Sequence, residues 1–142
     1  MQLNSFGSIL SFAAELETGD EEFYTKAAGV PAASQLKSSL ELFAADCQKN
    51  LKNIQRTRRE NVTEMILEGI ADFTSEAFEI EMGNPDTMNA AELLEISKKL
   101  EERAESFYLE AAEKIKALPE VTRALKLIAK KRTAHLSQLV DI

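Results

Sequence analysis

His135 is the only histidine of the 142-residue chain, and Arg132 stands three residues before it in Arg-Thr-Ala-His-Leu. On a helix, residues three apart share a face. That is the spacing at which carboxylate-rich helix bundles set Glu-x-x-His to hold a metal. Here the glutamate position carries an arginine, so a cation stands where a ligand would. The other residues able to do chemistry are Glu17, Asp20 and Tyr24 in one stretch, Cys47 and Asn50 in a second, and Glu101 and Tyr108 in a third. No glycine-rich phosphate loop, Ser-His-Asp set or isolated general acid–base pair occurs.

These residues need helices to position them. From about Asn4 to Ala28, Phe6, Leu10, Ala13, Glu17, Asp20, Tyr24 and Ala27 recur at three- and four-residue steps, which predicts one helical face. Gly29, as a C′ glycine, and Pro31 end it. A second helix is expected from about Ala33 to Glu60, with Leu36, Leu40, Phe43, Cys47, Asn50 and Ile54 inward and lysines and arginines outward. Asn89 as N-cap with Glu92 at N3 opens a third helix. Its expected inner face is Ala90, Leu94, Ser97, Glu101, Ala104, Tyr108, Ala111 and Ile115. Pro119 starts a fourth, with Val121, Leu125, Ile128, Arg132, His135 and Leu139 inward. Residues 61–88 are too long for a plain loop, so one or two short helices are expected across the bundle or in a subunit contact. The fold class is therefore all-α. One domain, residues 1–142, forms a four-helix bundle from two helical hairpins (about 4–60 and 89–142) joined by the 61–88 crossover.

Composition agrees. The chain has five Gly, three Pro and no Trp, and its length suffices to bury roughly 68–70% of the unfolded surface. A net charge of −7 argues against a nucleic-acid partner. Of the two basic tracts, Lys49–Arg59 and Lys126–Arg132, the first lies at the end of a predicted helix, where cations suit the macrodipole, and reads as a solvated face. No apolar run approaches the ~20 residues of a membrane span, and the first residues lack a basic signal start. One cysteine excludes an internal disulfide and fits a reducing compartment, so a cytoplasmic location is expected.

The two halves repeat. Leu16, Glu17, Phe23, Tyr24, Ala27 and Ala28 match Leu100, Glu101, Phe107, Tyr108, Ala111 and Ala112. After one inserted residue, Leu36, Leu40, Phe43, Cys47, Asn50 and Leu51 match Val121, Leu125, Ile128, Arg132, His135 and Leu136. A doubled hairpin with pseudo-two-fold symmetry follows.

Glu followed seven residues later by Tyr, then a helix with the Glu-x-x-His register, twice over, resembles the rubrerythrin branch of the ferritin-like proteins along nearly the whole chain. In that family each half supplies a terminal glutamate, then a bridging glutamate and a histidine, to hold two irons for peroxide reduction or iron oxidation. The resemblance makes Glu17 and Glu101 the terminal glutamates and His135 the surviving histidine. Cys47 and Arg132 stand at the bridging positions and Asn50 at the other histidine. The chain has no Cys-x-x-Cys module of the kind that delivers electrons in full-length rubrerythrins. A homodimer is the association the resemblance and the apolar crossover imply.

Three chemistries are open to such a set. A di-iron centre would need the bridging carboxylates that are missing. A single iron, zinc or manganese ion could use Glu17, Glu101 and His135, with Asp20 and Cys47 as additions. In the third, Arg132 replaces the metal and its fork pairs with Glu17, Asp20 and Glu101, Asn50 and His135 completing the hydrogen bonding. The third is the expected arrangement, with no cofactor and no catalytic residue. Tyr24 and Tyr108 are then core residues or donors to the acids, and Cys47 is an inert core thiol.

Overall fold

The structure is a computed structural model in which residues 1–61 and 69–142 are described. Four α-helices carry it: α1 (Phe6–Ala28), α2 (Lys37–Glu60), α3 (Ala90–Lys114) and α4 (Pro119–Val140). No helix among the described residues is long and apolar enough to cross a membrane. α1 pairs with α2 and α3 with α4. Across the hairpins, α2 lies against α4 and α1 meets α3. Ser39 meets Gln138, and Asp46 meets His135. Rising numbers on α2 thus face falling numbers on α4, so the two run antiparallel.

The helix starts follow local chemistry. Ser5 caps α1 by accepting from the Ser8 N–H, and Asn89 caps α3 in a reciprocal box with Glu92. Pro119 occupies the first turn of α4, where its missing N–H costs nothing. α2 begins later than the periodicity predicts. Pro31–Ala33 forms a single 3₁₀ turn and the α-helix starts at Lys37, so Leu36 reaches the core from the turn. Gly29 ends α1 at φ −85, a right-handed conformation open to any residue. Its expected role as a left-handed C′ glycine is not what stops the helix.

The inner faces of α1, α2 and α4 are the expected ones. That of α3 differs at its start: Ala90 is exposed and Leu94 half-buried, while Leu93 and Leu100 are fully buried. Ala90 is the first residue of the helix, and the first fully buried apolar contact of α3 is Leu93.

The described part of the crossover, residues 69–88, contains no α-helix. It is an extended strap in which the short helices expected there are two single-turn 3₁₀ helices, Glu76–Phe78 and Pro85–Thr87. Met65 and Ile66 lie outside the described residues. The strap's backbone pairs with the chain start, through Leu3 N to Phe73 O at 2.9 Å and Ile70 N to Asn4 O at 2.9 Å. Phe73 and Phe78 insert between α1 and α3 and meet the Phe107 ring at 6.1 and 5.4 Å. The apolar crossover residues thus cover the α1/α3 side of the chain's own bundle.

Candidate functional site: an arginine among three carboxylates

Among the described residues ten polar or charged side chains lie in the interior, and most of them meet halfway along the bundle. Arg132 is the largest fully buried side chain among the described residues. Its Nη1 donates to both oxygens of Glu101 at 3.0 Å. Its Nη2 donates to Glu17 Oε2 and Asp20 Oδ2, each at 2.9 Å. All four side chains are 0% exposed. α1, α3 and α4 therefore converge on one guanidinium, whose planar fork suits several carboxylates at once.

The acids are filled from the other side too. Tyr24 donates to Glu101 at 2.8 Å, and Tyr108 donates to Glu17 at 2.6 Å. Asn50 gives its amide to the remaining Glu17 oxygen at 3.1 Å. Arg103 donates to Asp20 Oδ1 at 2.6 Å. Every carboxylate oxygen of Glu17, Asp20 and Glu101 thus accepts at least one hydrogen bond, as buried charges must to be tolerated. Nε of Arg132 and Nε of Arg103 are buried with no partner among the described residues.

His135 closes the network. Its Nδ1 faces Glu101 Oε1 at 3.1 Å, its Nε2 faces Asp46 Oδ2 at 2.7 Å, and its ring stacks on Phe43 with centroids 4.1 Å apart. A carboxylate only accepts, so whichever ring nitrogen carries a proton has a carboxylate oxygen to donate to. Asp46, 14% exposed, is the edge of the network nearest solvent.

Burial and charge act against each other here. For Glu101, burial is the largest influence and raises its pKa. Arg132, His135 and Tyr24 together outweigh it and hold the carboxyl below its ordinary value. For Asp20, burial prevails over Arg132 and Arg103 and the pKa is raised. Arg132 is driven well above its ordinary value: burial, the largest influence, lowers it, but Glu101 and Glu17 overcome this. Burial pushes the Cys47 thiol strongly upward, which favours the protonated form.

The pseudo-two-fold is visible in the bonds. Each tyrosine reaches the glutamate of the other half, Tyr24 to Glu101 and Tyr108 to Glu17, while Asn50 and His135 each bond the glutamate of their own half. The charged additions break the symmetry. Arg132 faces the half with Cys47, Asp20 matches Ala104, and Arg103 matches Gly19.

The residues anticipated from sequence, Glu17, Asp20, Tyr24, Asn50, Glu101, Tyr108, Arg132 and His135, come together, and Cys47 is buried at the same level without a hydrogen bond. Arg103 and Asp46 were not anticipated. Asp20 hinted at the first, since one guanidinium cannot fill every oxygen of two glutamates and a third carboxylate. The two-sided imidazole hinted at the second.

A metal pair does not fit this donor set. A guanidinium lies among the carboxylates, and their oxygens are already occupied by donors. Among the described residues no group of three or more His, Cys, Asp and Glu side chains is arranged to hold a metal ion. Searches of curated proteins and of solved structures return no significant match. The profile of the ferritin-like domain family, however, matches residues 7–140. With nearly the whole chain matched and four helices in the expected hairpins, the chain belongs to the ferritin-like domain family.

Proposed function

We propose that this is a rubrerythrin-like member of that family whose di-iron pair has been replaced by the Arg132 guanidinium, leaving a non-catalytic binding or structural module. The observation that carries the reading is the fully buried Arg132 within 2.9–3.0 Å of Glu17, Asp20 and Glu101. Two metal ions held by carboxylates present positive charge to acids from both halves, and the guanidinium presents positive charge to the same acids. It also ties the halves together. Arg132 and His135 of α4 and Arg103 of α3 bond Glu17, Asp20 and Asp46 of the first hairpin, so the network acts as a clamp between hairpins.

The alternative, a protein using a reduced ligand set for one iron, zinc or manganese ion, would need the acids to leave Arg132. No distance in the site favours it.

Elemental analysis of protein purified without chelator, followed by anaerobic Fe(II) titration, tests the proposal. Less than a tenth of an equivalent of metal is expected for the parent. The variant Cys47→Glu/Asn50→His/Arg132→Glu, which restores a carboxylate–histidine set in both halves, should take up close to two equivalents. About one equivalent bound by the parent would refute the arginine replacement, and two would restore the enzyme reading.

A further inference from the structure

The lysines and arginines are distributed unevenly. α2 carries six against three acids and α4 five against one, whereas α1 carries one against five and α3 four against seven. The crossover has seven acids and no lysine or arginine. Because α2 and α4 lie side by side, the two basic tracts meet on one surface. The α1/α3 side, covered by the crossover, is acidic.

On that surface two clefts flank α4. One, about 90 Å³, runs between α2 and α4, with Arg56 and Lys131 at its rim and Asn53 and Thr57 in its wall. The other is lined by Arg123, Lys126 and Lys130, and by Lys116, which pairs with Glu113. No acid lines either cleft, and none of the other five cations makes an ion pair among the described residues. Leu127, 62% exposed, borders both clefts and stands as an apolar knob between them.

We propose that this outer face of α2 and α4 is a docking surface for an acidic segment of a partner protein, carrying carboxylates for the cations and an apolar side chain for Leu127. Charge complementarity selects the sign of the occupant. A second copy related by a two-fold axis through this face is disfavoured, since it would set cation against cation. Nucleic acid fits less well: the tyrosines and the core phenylalanines are buried, so no ring on this face stacks a base, and phosphodiester offers Leu127 nothing apolar. The cations and Leu127 take no part in the Arg132 network, which meets the α2/α4 cleft only at Asn50, so failure of either proposal leaves the other standing.

The test is fluorescence anisotropy with a labelled synthetic peptide of repeating Glu-Glu-Leu, at low and at moderate salt, on the full chain. The parent should bind, and binding should weaken as salt screens the exposed charges. The variant Arg56→Glu/Lys126→Glu/Lys130→Glu/Lys131→Glu should lose at least about tenfold in affinity, because several exposed pairs are inverted together. Leu127→Ser should lose a few-fold at constant charge. Glu102→Lys/Glu110→Lys on α3, which raises net charge on another face, should bind within about twofold of the parent. Should the fourfold reversal unfold, as circular dichroism would show, Lys126→Gln/Lys130→Gln replaces it and must still weaken binding. The proposal is overturned if the parent does not bind the peptide or if the reversal binds as tightly as the parent. It is overturned equally if duplex DNA displaces the labelled peptide at lower concentration than unlabelled peptide does.

Discussion

Truncating Arg132 to alanine in metal-free protein examines the centre of the molecule directly. Four hydrogen bonds disappear, two from Glu101 and one each from Glu17 and Asp20. Glu101 keeps His135 and Tyr24, Glu17 keeps Asn50 and Tyr108, and Asp20 keeps only Arg103. Three buried carboxylates are then left with too little positive charge. Breaking a buried ion pair from one side costs roughly 3–5 kcal/mol. At a few degrees per kcal/mol for a chain of this size, Tm should fall by about 10–20 °C. The loss should also depend on pH. Without Arg132 the acids are desolvated and under-paired, so their folded pKa values rise above the unfolded ones. A raised carboxyl stabilises fully below its unfolded pKa and loses that contribution as pH rises through the folded value. The variant should therefore recover part of its stability near pH 5 relative to pH 8, as read by calorimetry at both. Replacing the set together, with Arg132→Met/Glu17→Gln/Asp20→Asn/Glu101→Gln, removes the stranded charges and should regain most of the loss, since neutral substitutes for a buried ion cluster are often tolerated. An unchanged Tm for Arg132→Ala, or a fourfold variant no more stable than the single one, would refute the reasoning.

Other perturbations rank by how much they leave uncompensated. Arg103→Met removes one of the two guanidinium contacts to Asp20 and should cost about 1–3 kcal/mol, less than Arg132→Ala, in urea unfolding. Tyr108→Phe and Tyr24→Phe each remove a hydroxyl donor to a buried carboxylate and should each cost roughly 1.5–3 kcal/mol, with the pseudo-two-fold making the two similar. In the parent, Glu101 is held below its ordinary value near 4.5. Its contribution is therefore present above that value and lost as pH falls through the folded one, so Glu101→Gln should flatten the acid limb of the stability profile below pH 4.5. The Cys47 thiol, buried and raised in pKa, should react with a thiol reagent only as fast as the protein unfolds.

Much of this was legible because the inner faces follow the helical period closely. Glu17, Asp20 and Tyr24 fall on one stripe of α1, and Arg132 and His135 on one stripe of α4, so their meeting follows from the bundle alone. The doubled Leu-Glu…Phe-Tyr pattern then assigned each residue its counterpart. Arg103 escaped because periodicity locates Cα atoms and not the ends of long side chains. It sits beside the inner stripe and reaches inward, leaving a side chain only 7% exposed. Its repeat counterpart is Gly19, and both border one cavity, so the absent side chain in one half leaves room beside the long one in the other. Asp46 escaped for a related reason: on the rim of α2 it looks like one more solvated acid, and only the orientation of the His135 ring shows its use. The start of α3 and the crossover depend on how the bundle end closes, which no repeat within the helices encodes.

The broken symmetry follows from the choice of cation. Two ions can sit on either side of a two-fold axis and serve equivalent ligands, whereas one guanidinium must enter from a single helix. It enters from α4, and the opposite position on α2 holds Cys47, an uncharged side chain that adds no second cation. A lone arginine between Glu17 and Glu101 would balance only part of their charge, and Asp20 adds another negative group in place of Ala104. The remaining basic side chains are placed accordingly: Arg103 on the far side of Asp20 and His135 on the far side of Glu101, with Asp46 behind the imidazole. Basic and acidic side chains therefore alternate from Arg103 through Asp20, Arg132, Glu101 and His135 to Asp46, so each has a partner of the opposite kind on both sides except at the ends. Such a chain is sensitive to loss of its middle member and tolerant at its rim. Asp46→Asn should accordingly cost well under the Arg132→Ala loss, about 1 kcal/mol or less, given its partial exposure and the screening that brings. A loss from Asp46→Asn as large as from Arg132→Ala would mean that the network is held from its edge, and the alternating arrangement would not be what stabilises it.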